Sequence, residues 1–132
     1  MKKHKTNLGG ELLFLLRQQR YLYHQLKILT ERQCKSQETN SPEFSLEIIS
    51  GRRKLVEKLH ELNNKLRPIK ANWQELSSQI EPEDKTEASE ITSHVHSIIG
   101  QIMSAGPSEI TQSLPLEQDW KFDELLAESK PQ

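Results

Sequence analysis

The chain has 132 residues, 33% hydrophobic and 28% charged, with a mean hydropathy of -0.75 and a formal net charge of -1. That length suits one domain, and that polarity excludes a thick core. The near-neutral total hides a gradient: residues 1–70 hold 15 Lys/Arg against 7 Asp/Glu, while residues 71–132 hold 3 against 12. Halves of opposite sign attract when a chain folds back on itself, and a basic half by itself also suits an acidic partner or nucleic acid.

The first predicted helix spans about Leu8 to Gln37. Its apolar seam runs Leu8, Leu12, Leu15, Gln19, Leu22, Leu26, Leu29 and Gln33, the alternating four-and-three spacing of bundle and coiled-coil packing. Glu38 to Ser41 break it, with Ser41 placed to cap the next helix and Pro42 suited to its first position. The second helix is predicted over Pro42 to Gln79, its seam running Ile48, Arg52, Leu55, Leu59, Leu62, Leu66, Ile69, Trp73, Leu76, Ile80. Pro68 removes the hydrogen bond to Asn64, so a kink is expected there, with the seam staying in phase. Pro82, followed by Glu83 and Asp84, opens a third helix, carrying Ala88, Ile91, Val95, Ile98, Ile102 and Ala105. Gly106-Pro107 stops it. The fold class read from this is all-α: an antiparallel long-helix hairpin plus a third helix, a three-helix bundle over residues 1–107. Residues 108–132 form a flexible tail with a short amphipathic segment, Leu116 to Glu128.

Register follows from arithmetic. Pairs summing to 81 match Leu12 with Ile69 and Leu26 with Leu55; pairs summing to 164 match Ile69 with Val95 and Leu59 with Ala105. On this scheme the third helix runs out at the layer of Leu22, Leu59 and Ala105, leaving Leu26, Leu29, Ile48 and Leu55 in a bare two-helix tip.

No constellation for chemistry emerges, so the chain is read as having no catalytic residues, cofactor or metal. His94 and His96 lie about 200° apart on a helix and cannot share a metal from one face. Gly9-Gly10 lacks the strand and lysine of a phosphate loop. The basic helix two, with Arg52, Arg53, Lys54, Lys58, Lys65, Arg67 and Lys70, has no interleaved aromatic residues for stacking, so nucleic acid is not expected. Lys2, Lys3 and Lys5 are followed by an apolar run of only Leu12 to Leu16, too short for a signal peptide or membrane insertion. The lone Cys34 suits a reducing compartment, and a cytoplasmic location is expected. Ile99 and Met103 widen the apolar face of helix three beside Ile98 and Ile102, forming a candidate groove for a partner helix.

The stretch QQRYLYHQLKILTERQ, followed by ISGRRKLVEKLHELNNKLRPIKANW, resembles the FlgN-like flagellar export chaperones. The shared features are a glutamine two before Tyr-Leu-Tyr, a glutamine ending helix one, and a basic pair opening a Leu-rich helix that ends in Leu-x-Pro-Ile. The likeness covers roughly residues 12–105. It implies a non-catalytic cytoplasmic bundle, monomeric or weakly dimeric, that binds the helical termini of flagellar hook-associated proteins and contacts the export apparatus. By position it places the partner on Ile98, Ile99, Ile102 and Met103, with Trp120, Leu125 and Leu126 of the tail. The alternative is a general helical adaptor or coiled-coil assembly protein with no flagellar role.

Overall fold

A computed structural model describes residues 7–39 and 42–105. They form α1 (Leu8–Thr39), α2 (Pro42–Ala71), α3 (Trp73–Leu76) and α4 (Pro82–Ala105), with a 3₁₀ turn at Ser77–Gln79. The all-α class is as expected. The predicted tail, 108–132, lies outside the described residues, and Trp120, Leu125 and Leu126 with it.

Asn7 starts α1 by capping it: its Oδ1 accepts the Gly10 N–H at 3.0 Å, and its backbone oxygen accepts the Glu11 N–H. The cap side chain occupies the space where a Cβ at residue 10 would stand. From there α1 and α2 run antiparallel close to the expected register, within about one residue over most of their length. Gln19 meets Asn63, a Cβ on Gly51 would touch Leu29, and Arg52 Nη1 donates to Gln33 Oε1.

The turn into α4 differs from expectation. Helix α2 carries Pro68 within it and ends at Ala71, so the break falls at Asn72 and not at the proline. The Pro68 carbonyl accepts both the backbone N–H of Asn72 (3.1 Å) and its side-chain Nδ2 (3.0 Å). The first is an ordinary helical bond, and the Asn72 side chain adds a second to the same carbonyl at the point where α2 ends. Residues 73–79 continue in short helical turns and the backbone becomes extended at Ile80; Trp73 and Ile80 are both buried.

The register of α4 also differs from the expected one. Running parallel to α1, the helix brings Asp84 against Gly9 and pairs Glu87 with Arg17. The expected register would have set Leu15 beside Ile98; the observed one sets it beside the first half of α4 and brings Ala105 level with about Thr30. The bare tip is thereby corrected, since Leu26 and Thr30 are fully buried. Helix α4 also packs chiefly on α1 and only slightly on α2. Helix α1 is therefore the central element, and it carries a second stripe beside its seam: Leu13, Leu16, Tyr23 and Thr30, all buried. Facing residues on α4 include Ala88, Ser89 and Thr92, also buried. Small side chains at such a contact let helix axes approach closely. Gly9 extends this fit, because a Cβ there would collide with the Asp84 carboxylate. Two helix N-termini lie side by side at this end, and Asp84 sets negative charge beside their paired positive dipole ends.

Candidate functional site

On the flank of the hairpin, an open groove of about 510 Å³ lies between α1 and α2. It is lined by Phe14, Arg17, Gln18, Tyr21 and Leu22 from α1 and by Lys58, Glu61, Leu62 and Lys65 from α2. The spacing is helical on both walls. Phe14 and Tyr21 stand two turns apart on one face, and Lys58, Leu62 and Lys65 repeat at i, i+4 and i+7. Phe14 is 58% exposed and Tyr21 62%, while Leu62 forms a buried floor. Isolated exposed apolar residues are ordinary on a protein surface; two rings and two leucines along one groove form a contiguous patch.

Electrostatics sharpen the site. Lys58 and Lys65 stand exposed on the α2 rim with Glu61 between them. Arg17 lies at the α1 rim and reaches across to Glu87 of α4, an ion pair between half-exposed side chains. The groove is thus apolar along its length and net basic at its edges. Such a surface suits an amphipathic helix with acidic flanks.

The residues nominated from the sequence fall elsewhere. Ile98, Ile99 and Ile102 are core residues, none more than 3% exposed, so the groove expected there is closed by α1. The cause is the shifted register, which carries α4 along the second stripe of α1. Met103, 54% exposed, remains at the surface in the last turn of α4. Phe14 was missed in the sequence. Its signal was present: Phe14 and Tyr21 repeat at seven residues but lie off the seam, where aromatic rings have no core to fill.

Inside the bundle, Gln19 Nε2 donates to Asn63 Oδ1 at 3.1 Å, and both side chains are buried. Asn63 Nδ2 is buried without a hydrogen-bond partner among the described residues. Near the far end, burial lowers the Arg52 pKa from its ordinary value, yet a guanidinium stays charged at any physiological pH.

Among the described residues, no cluster of three or more His, Cys, Asp or Glu is placed to hold a metal ion, and no helix is long and apolar enough to cross a membrane. No family model matches the chain, and neither a curated protein nor a solved structure was found to be similar to it.

Proposed function

We propose that this chain is a chaperone for helical segments, holding the terminal helices of flagellar hook-associated proteins before type III export. Its partner surface is the α1/α2 groove. The observation that carries the reading is the run of exposed rings, Phe14 and Tyr21, beside a basic rim and over the leucine floor. The resemblance of residues 18–33 and 49–73 to FlgN-like chaperones supplies the identity of the partner. Relative to the sequence expectation, the binding surface moves from Ile98, Ile99 and Ile102 to residues of α1 and α2.

The test is a binding titration of the purified chain against the hook-associated subunits of its own organism. A one-to-one complex is expected. Phe14→Glu with Tyr21→Glu should abolish it, since each charge buried in an apolar interface costs about several kcal/mol. Both positions are exposed, so circular dichroism should still report a folded helical protein. Failure of the intact chain to bind any such subunit would leave the general helical adaptor as the better reading.

A further inference from the structure

The α1/α2 groove has an occupant candidate in this same chain. Residues 116–128 carry Glu117, Asp119, Asp123, Glu124 and Glu128 against Lys121, whereas the groove carries Lys58 and Lys65 against Glu61, its Arg17 being paired with Glu87. In helical spacing, Phe122, Leu125 and Leu126 fall on one face at i, i+3 and i+4, with Asp119 and Asp123 along one edge of it. The apolar face matches the groove's rings and leucines, and the acidic edge matches its lysine rim.

Reach permits it. Ala105 ends α4 level with about Thr30, roughly 12 Å along the axis from Leu22 at 1.5 Å per residue. Going round the hairpin adds about two interhelical distances, or roughly 20 Å. Residues 106–115 span up to about 33 Å when extended, which is enough. Beyond them, residues 116–126 written as a helix measure about 16 Å, comparable to the groove's length from Phe14 to Leu22.

We infer that residues 116–128 bind the α1/α2 groove intramolecularly and compete there with a partner helix. This rests on reading the groove as a helix-binding surface. A tethered segment meets its site at an effective concentration in the millimolar range, so even a weak contact is populated. The groove's rings are then covered until a stronger helix displaces the segment.

Hydrogen exchange of the full chain, followed by mass spectrometry over residues 116–128, tests this. Backbone amides there should exchange at least about tenfold more slowly than in an unstructured chain. Phe14→Glu with Tyr21→Glu should remove the protection, as should the milder pair Lys58→Glu with Lys65→Glu, which alters only exposed charges. Absence of protection in the wild-type chain, or protection unchanged by both variants, overturns the inference. Protection that grows with protein concentration also overturns it, in favour of a second copy in the groove. A separate arm uses Leu125→Ser with Leu126→Ser and a synthetic peptide of a hook-associated subunit's terminal helix. The variant should bind that peptide severalfold more tightly than the wild-type chain. Groove-dependent protection with no peptide binding by either protein would uphold the intramolecular contact and defeat the chaperone reading alone.

Discussion

The two flanks of α1 solve opposite problems. Toward α4 its residues are drawn in: Gly9 admits a carboxylate, Leu13, Leu16 and Tyr23 are buried, and Ala88, Ser89 and Thr92 leave room for a close approach. On the open flank, Phe14 and Tyr21 stand exposed with no helix over them among the described residues. One helix thus presents a finished interface and an unfinished one, and burial distinguishes them: a tyrosine ring is fully covered on one flank and mostly exposed on the other.

Two tyrosines, two residues apart, give the widest test of that contrast. Tyr23 is fully buried and Tyr21 is 62% exposed. Tyr23→Ala should destabilise the fold by about 3–5 kcal/mol, in the manner of other large buried rings. Tyr21→Ala should fall within about 0.5 kcal/mol, as surface substitutions do. Urea unfolding of both variants measures the difference, and similar losses would mean that the open flank is structural.

A smaller effect is expected at the buried polar pair. Gln19→Leu strips Asn63 of its partner and should cost about 1–3 kcal/mol, because a buried amide is left unbonded. Adding Asn63→Leu should recover much of that loss, since removing both polar partners is often nearly neutral. A double-mutant cycle in chemical denaturation reads the coupling directly. If the double variant is no better than the single one, the pair fixes packing in a way that leucines cannot replace.

The smallest effect belongs to Arg17 and Glu87, which join α1 to α4 across half-exposed positions. Arg17→Ala should change stability by at most about 1 kcal/mol, and less in high salt, because exposed ion pairs gain little over water. Thermal unfolding at low and high ionic strength checks it. A salt-independent loss would show that the aliphatic stem of Arg17 packs rather than pairs.

The hairpin was legible in the sequence because its seam and its register depend on one short loop. The spacing paired Gln19 with Leu62 and Leu29 with Arg52, and the structure sets Gln19 against Asn63 and Leu29 against Gly51, one residue away in each case. The placement of α4 was not legible, for a definite reason. Ile69, Trp73, Leu76 and Ile80 keep their spacing through the break at Asn72, and apolar spacing records burial, not direction. Trp73 and Ile80 are buried whether the chain runs straight or turns. The backbone becomes extended only at Ile80 (φ -106°, ψ 133°), ahead of Pro82, and a single extended residue leaves no periodic trace. The groove was half legible: Tyr21 falls within the Tyr-Leu-Tyr of the resemblance, whereas Phe14 gains meaning only once α4 is seen to lie on the other flank.

The parallel pairing of α1 with α4 also has a consequence in time. The contact of Gly9 with Asp84 joins residues far apart in the chain, so it waits on everything made between them. At about 5–20 residues per second, the ribosome takes on the order of 4–15 s to cover that distance. For that interval Leu13, Leu16 and Tyr23 have no helix to meet, although α2 is already emerging to pair with the neighbouring stripe. The nascent chain therefore spends its first seconds as a hairpin with an uncovered apolar side, in the same predicament as the helices it is proposed to protect.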